Sequence, residues 1–258
     1  MLLYLSVSSE NETFVRRHWR DLAHMDYRIS SDGQLLRSGR PKCGLMVLSD
    51  AGSPDYSDRR ALAEQVLHEC RVGAFGGIVA DFEQSPTEES FHFLRLVGEN
   101  LRYEGRRFFV PEPYALCCKS ANVLFPTAIS GGSFADRLRQ KVKLIGARRL
   151  ALDLQWLRMD FPLPCPGGEG QIQTESELRY LIEAEKPMSF HSSSLAADYF
   201  SYEKEGEHRF VLYDTPATLA AKLRFASSLG CETAFLLASE AESQLIPLLG
   251  FFKRQKLI

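Results

Sequence analysis

The strongest constraint on the fold is the regular alternation of short apolar runs with longer segments of helical periodicity. The apolar runs are rich in β-branched and aromatic residues, which predicts strands at Leu2–Val7, Cys43–Leu48, Gly77–Phe82, Arg107–Val110, Val123–Ile129, Leu150–Trp156, Met188–His191, Phe210–Tyr213 and Thr233–Ala238. A further strand is predicted within His24–Ile29, before a turn at Ser31–Gly33. Strands that alternate with helices form a parallel sheet with helices packed on it.

Four helices have recognisable starts. Capping boxes are predicted at Ser85–Glu88 and Thr174–Glu177, Asp214 or Thr215 caps a helix that begins at Pro216, and Asp58–Val72 has a helical apolar stripe. The strand count is near eight with one or two extra strands. We therefore expect an α/β protein with a closed (β/α)8 TIM barrel as a single domain over residues 1–258, rather than a doubly wound sheet.

Charge and composition exclude several classes of partner. The chain has 31 basic and 33 acidic residues without basic runs, so neither nucleic acid nor a membrane is expected as a partner. The N-terminus lacks the basic lead-in of a secretory signal, and six scattered cysteines are typical of reduced thiols, so a cytoplasmic location is expected. The six histidines never occur at i, i+4 spacing, so we expect no metal and no cofactor. The oligomeric state stays open.

The segment Phe75–Glu83 is the most informative for function. Along a strand, Val79, Asp81 and Glu83 share one face, and the opposite face is fully apolar. Two carboxyl groups about 7 Å apart at the mouth of a barrel repel each other, so one is expected to keep its proton and serve as a general acid. The alternative is that both are ordinary strand-end acids, paired with arginine or with a helix N-terminus.

This segment resembles the signature D-G-x-D-x-D-x-E on the fourth strand of family 18 glycoside hydrolases, the chitinase-like barrels. Gly77 is kept, and Asp81 and Glu83 match the third aspartate and the acid glutamate. Gly76 and Val79 replace the first and second aspartates. The resemblance implies a barrel in which Glu83 and Asp81 are the catalytic residues.

Two other stretches are similar to the same family, in particular to its spore-cortex peptidoglycan hydrolases. Tyr213-Asp214, Thr218, Lys222 and Gly230 resemble the run Y-[DE]…S…K…G before the last strand. Tyr27–Leu36 resembles the hairpin of the second strand.

The resemblance implies a retaining mechanism that the substrate assists, on a β-linked polymer that contains N-acetylglucosamine, such as peptidoglycan or chitin. Glu83 would protonate the glycosidic oxygen, and the substrate's N-acetyl carbonyl would attack the anomeric carbon. Asp81 would orient the acetamido group, and Glu83 would then act as base for water. Val79 removes the carboxylate with which Asp81 would share a proton.

Five further residues are candidates for sugar binding. They are Glu112, Tyr114, Asp153, Gln155 and Phe235. Glu112 and Tyr114 follow a predicted strand, and Asp153 and Gln155 stand in for the sixth-strand motif M-x-Y-D of the family. Phe235 replaces the tryptophan that forms the floor of the family's last strand.

Two functions are consistent with these residues. The first is an active glycoside hydrolase of carbohydrate metabolism, and the second is a catalytically silent carbohydrate-binding or scaffold protein on the same barrel. A third hypothesis is a barrel with unrelated small-molecule chemistry, which a phosphate or metal bound at the mouth of the barrel would favour. Without a signal peptide, reaching wall polymer requires spore association, lysis or a non-standard export route.

Overall fold

The computed structural model describes residues 1–241 and 244–258, which divide into two compact units. The first unit comprises Met1–Phe125, Ile145–Asp153 and Cys231–Ser239. The second comprises Pro126–Leu144, Leu154–Gly230 and Glu240–Ile258.

The sheet of the first unit is a closed barrel of eight parallel strands. In chain order they are β1 (Leu2–Val7), β2 (Leu22–Ile29), β4 (Leu45–Ser49), β5 (Gly77–Asp81), β6 (Arg107–Pro111), β7 (Asn122–Pro126), β8 (Leu150–Leu154) and β14 (Thr233–Leu237). The eight barrel strands follow one another round the ring in chain order, although five other strands lie between β8 and β14 in the sequence, and the pairing of β1 with β2 closes the ring. The predicted (β/α)8 barrel is confirmed. One short strand, β3 (Leu35–Arg37), pairs antiparallel with β2 outside the ring and forms the predicted hairpin.

Side chains of the barrel strands divide between an inner and an outer apolar cluster. The inner cluster takes residues from seven of the eight strands: Tyr4, Ala23, Leu45, Val47, Val79, Phe109, Ala151 and Phe235. On β5, Ile78 and Ala80 belong to the outer cluster, which also contains Leu62 and Phe93 from the covering helices. The predicted alternation along β5 is therefore confirmed, and the face of Val79 and Asp81 is the interior face.

Eight α-helices accompany the strands in the described residues. They are α1 (Glu12–Arg16), α2 (Arg59–Val72), α3 (Glu88–Tyr103), α4 (Phe134–Ile145), α5 (Glu175–Glu185), α6 (Pro216–Ser228), α7 (Ala238–Ala241) and α8 (Leu245–Arg254). Thr174 and Thr215 cap α5 and α6 as predicted. The predicted start of α3 is two residues early, because Thr87 and not Ser85 is the N-cap and forms its capping box with Ser90. None of these described helices has the length and apolar character needed to cross a bilayer.

The second unit contains a five-stranded antiparallel sheet. Its strands are β9 (Arg158–Leu163), β10 (Gln171–Ile172), β11 (Phe190–Ser192), β12 (Ala197–Lys204) and β13 (Glu207–Tyr213), in the order β10-β9-β13-β12-β11. Sequence reasoning missed β9, since the proline-rich stretch 160–171 predicts a loop. Pro162 is accommodated because β10 pairs only with Met159 and Asp160, which leaves the edge of β9 free at the proline.

The strand count corrects one expectation about register. Counted round the barrel, β7 is the sixth strand and β8 is the seventh. Asp153 lies on β8 and Gln155 follows it, so both lie at the seventh barrel strand, a register that the sequence left open, and not at the sixth, where the family has M-x-Y-D. The number of the strand was hard to predict because Val123–Ile129 follows the preceding strand without an intervening α-helix.

Candidate active site

The fourth barrel strand carries the predicted pair of acids at its C-terminal end. Asp81 is the last residue of β5 and is half-buried, while Glu83 lies two residues beyond the strand and is exposed. Val79, one step back on the same face, is buried in the barrel interior. Active sites of such barrels lie at the C-terminal ends of the strands. The two acids therefore stand at the catalytic end of the fold.

A third carboxylate, Asp50, joins them from the neighbouring strand. Ser49 at the end of β4 is in register with Asp81, and Asp50 follows it directly. The buried side chain of Asp50 accepts the backbone N–H of Glu83 at 2.8 Å and that of Gln84 at 3.3 Å. Asp50 thus fixes the backbone that carries Glu83. Sequence reasoning missed Asp50, although it is the first charged residue after a buried apolar run, as Asp81 is.

Neighbouring negative charge adds to the effect of burial at two of these carboxylates, Asp81 and Asp50. Burial raises the pKa of Asp81, and the negative charges of Glu83 and Asp50 add to that effect. Burial also raises the pKa of Asp50, although its two bonds from backbone N–H groups oppose the shift. Within the described residues, none of the three forms an ion pair with a basic side chain. Burial and the two neighbouring negative charges therefore all act in one direction on the pKa of Asp81.

Two cavities of the first unit are each lined by one of these acids, Asp81 or Asp50, and Glu83 is not among the described residues that line them. One of about 610 Å³ is lined by Asp81 and by the hairpin of β2 and β3, including Tyr27 and Arg37. The other, of about 690 Å³, is lined by Asp50, by loop residues before α2 and α3, and by Tyr114. Ligand sites of proteins have volumes in this range.

Tyr114 and Glu112 lie together on a short 3-10 helix after β6, residues 112–114. Tyr114 is buried, and its hydroxyl lies 3.0 Å from that of Ser90 at the start of α3. Its ring lines the same cavity as Asp50, so the structure brings this candidate close to the acids. Glu112 is exposed at the first position of the helix. Both stay predictions as sugar-binding residues.

The other three candidates are placed differently. Phe235 is 3% exposed in the barrel interior, where its ring stacks on Tyr4 and meets Phe109 edge-on. Asp153 is half-buried on β8. Gln155 belongs to the second unit, where its backbone N–H donates to the hydroxyl of Thr127 at 3.2 Å. The sugar-binding roles of these three stay predictions.

In the second unit, the run before the last strand forms a buried polar cluster. The Nζ of Lys222 donates to the two carboxylate oxygens of Asp214 at 2.8 and 2.7 Å. The hydroxyl of Thr218 and the backbone N–H of Leu157 also donate to Asp214. Every strong acceptor position of this carboxylate is engaged, so the cluster ties α6 to the chain around Leu157 and has a structural role.

Comparisons with known proteins confirm the fold. The chain matches the spore cortex-lytic enzyme SleL of Bacillus megaterium with a TM-score of 0.70 and 17% identity, over 97% of this chain and 73% of that chain. It matches a chitinase from Chromobacterium violaceum with a TM-score of 0.64 and 15% identity, over 96% of this chain and 98% of that chain. It also matches a GH18 chitinase from Cycas revoluta in complex with (GlcNAc)4. The TM-score is 0.65 and the identity is 12%, over 96% of this chain and 98% of that chain. No family model and no curated protein sequence matches the chain.

Proposed function

We propose that this chain is a glycoside hydrolase that cleaves a β-linked polysaccharide containing N-acetylglucosamine, with Glu83 as general acid and base. The observation that carries the proposal is that Asp81 and Glu83 leave the C-terminal end of the fourth barrel strand, which is the strand that the sequence resemblance requires. The matched structures support it, since they include two chitinases, one with (GlcNAc)4 bound, and a cortex-lytic enzyme.

In the first step, the exposed carboxyl of Glu83 donates its proton to the glycosidic oxygen. The bond from that oxygen to the anomeric carbon breaks while the carbonyl oxygen of the substrate's own N-acetyl group bonds to the same carbon. Asp81 faces the acetamido nitrogen and stabilises the positive charge of the oxazolinium ion. In the second step, the Glu83 carboxylate takes a proton from water, and the water oxygen displaces the acetamido oxygen.

Asp50 acts in this scheme as a positioning residue. Its two bonds to backbone N–H groups hold the turn after β5, and that turn sets where the Glu83 side chain begins. Preorganisation of this kind matters because a catalytic acid misplaced by about 1 Å loses much of its effect.

One observation favours the second candidate, a catalytically silent carbohydrate-binding protein on the same barrel. Val79 occupies the interior position where the family signature has an aspartate, and it packs in an apolar cluster. Asp81 therefore has no carboxylate behind it on β5 with which to share a proton, and its pKa is raised by burial and by the charges of Glu83 and Asp50 instead.

The experiment is hydrolysis of a chromogenic N-acetylglucosamine oligomer by the parent protein and by Glu83→Gln. We expect turnover by the parent and a loss of about 10²- to 10⁴-fold in kcat for the variant, with oligomer binding retained. Glu99→Gln, at an exposed position on α3, is the matched control and keeps full activity. Binding without turnover in the parent protein would instead establish the silent carbohydrate-binding function, and full activity of Glu83→Gln would exclude Glu83 as the acid.

A further inference from the structure

Three side chains that are typical metal ligands come together beside strand β2, and one of them, Asp26, also lines the cavity that Asp81 lines. Glu12 lies on α1, and His24 and Asp26 lie on β2. One ligand atom from each residue lies within 4.8 Å of the others. The pairing of β2 with β4 shifts register between His24 and Tyr27, and such a bulge redirects the side chains that it contains.

Two members of this group are buried without the hydrogen bonds that burial normally demands. His24 is 1% exposed and Asp26 is 3% exposed. Among the residues that the structure describes, both ring nitrogens of His24 and the Oδ2 of Asp26 have no hydrogen-bond partner. Such groups are rare in native proteins, because each costs about 1–3 kcal/mol. An ion bound by Nδ1 of His24 and Oδ2 of Asp26 would satisfy two of these three atoms.

The remaining ligand atoms are oriented by their own neighbours. Oδ1 of Asp26 accepts the hydroxyl of Ser38 at 3.0 Å, which leaves Oδ2 free. Oε1 of Glu12 accepts the guanidinium of Arg16 at 3.1 Å, and Oε2 of Glu12 lies 3.6 Å from Nδ1 of His24. These outer bonds fix the carboxylates in the way that supporting residues fix the ligands of metal sites.

We propose that Glu12, His24 and Asp26 form a binding site for one divalent transition-metal ion, with Zn²⁺ as the best fit. Two donors on a tetrahedral zinc, each about 2.1 Å from the ion, lie about 3.4 Å apart, which is close to the separation of Nδ1 and Oε2. An imidazole beside two carboxylates suits Zn²⁺ better than Mg²⁺ or Ca²⁺. Three protein ligands leave a fourth position for water.

The ion has a route to this site. Glu12 and Asp26 also line an open groove of about 470 Å³ that contains Arg40 and Cys43. The ion would join α1 to β2, which have no ion pair between them other than the contact of Glu12 with His24 in the described residues. The expectation of no metal rested on histidine spacing, which detects two ligands on one helix and cannot detect ligands from two elements.

The test is Zn²⁺ binding by calorimetry, with Co²⁺ absorption as a second probe, on the whole chain after chelator treatment. We expect one ion per chain, nitrogen and oxygen ligand bands without thiolate bands, and a rise in Tm of about 5 °C at a hundredfold excess over Kd. Glu12→Gln, at a partly exposed position, and His24→Ala each weaken binding at least about tenfold.

Two control variants keep binding unchanged. Cys43→Ser removes the exposed thiol of the groove, and His191→Ala removes the exposed histidine that pairs with Asp198. The proposal is overturned if no ion binds, if Glu12→Gln binds as the parent does, or if Cys43→Ser abolishes binding. Because Glu12→Gln changes a partly exposed side chain, the test stands even where His24→Ala fails to fold.

Discussion

Two buried aspartates in this chain have opposite surroundings. Asp214 accepts bonds from an ammonium group, a hydroxyl and a backbone N–H, and its counter-charge is Lys222 at 2.7 Å. Within the part of the chain that the structure describes, Asp50 accepts bonds from backbone N–H groups alone, and its charged neighbours are the carboxylates of Glu83 and Asp81. Both residues belong to polar clusters, yet one cluster neutralises its charge and the other accumulates charge of one sign.

The difference matches the roles that we propose, in which Asp214 holds the fold and the acids near Glu83 serve the reaction. Burial raises the pKa of Asp214 and lowers that of Lys222, and the attraction between the two charges opposes both shifts. At Asp81, burial and both neighbouring charges all raise the pKa. A site that gathers like charges without a cation costs stability, and such sites in folded proteins are candidates for function.

The largest effect on stability is expected from a variant that removes the cation from the cluster of Asp214 and Lys222. Lys222→Met leaves the Asp214 carboxylate buried without its cation, and we expect a loss of about 3–5 kcal/mol in the free energy of unfolding, measured in urea. The double variant Asp214→Asn with Lys222→Met should recover at least half of that loss. Arg139→Gln, which breaks an exposed ion pair with Asp136, is the control and changes stability by less than about 0.5 kcal/mol. A loss below about 1 kcal/mol for Lys222→Met contradicts a structural role.

A smaller effect on stability is expected from a variant in the cluster of Asp50, Asp81 and Glu83. Asp50→Ala leaves the N–H groups of Glu83 and Gln84 without their acceptor, and we expect a loss of about 1–3 kcal/mol in stability. Hydrolysis of the chromogenic oligomer should fall at least about tenfold, because the turn that carries Glu83 loses its anchor. Asp50→Asn keeps an acceptor oxygen and should restore more than half of the stability. An Asp50→Ala variant as active as the parent would exclude the positioning role.

The barrel could be predicted from the sequence because its signals are local. β1 matches its predicted bounds, and the alternation that places Val79 inside and Ile78 outside follows from the period of a strand. The five-stranded sheet was harder, because β9 contains a proline and its pairing depends on partners far along the chain. Long-range pairing leaves little trace in a single strand's composition.

The candidate site was predictable only in part for the same reason. Asp81 and Glu83 share one strand, so their spacing places them together. Asp50 follows β4, and it lies near them because Ser49 is paired with Asp81 across two strands. The spacing of residues within one segment cannot predict which residues of two strands are paired. The sixth and seventh strands were confused because the chain passes from β6 to β7 without an α-helix.

The central claim is that Asp50, Asp81 and Glu83 gather like charge, in contrast to the neutralised pair of Asp214 and Lys222. Its most direct test is thermal unfolding of Asp81→Asn and the parent protein as a function of pH. Because the pKa of Asp81 is raised in the folded chain, the folded state binds that proton more tightly than the unfolded state does. Stability of the parent should therefore decline as pH rises from about 4, the ordinary pKa of aspartate, through the raised value. Asparagine cannot ionise, so we predict that Asp81→Asn lacks this decline, has a Tm higher by about 2–4 °C at neutral pH, and no longer hydrolyses the oligomer. An Asp81→Asn variant that is less stable than the parent at neutral pH, or equally active, would contradict an assembly of like charges held for catalysis.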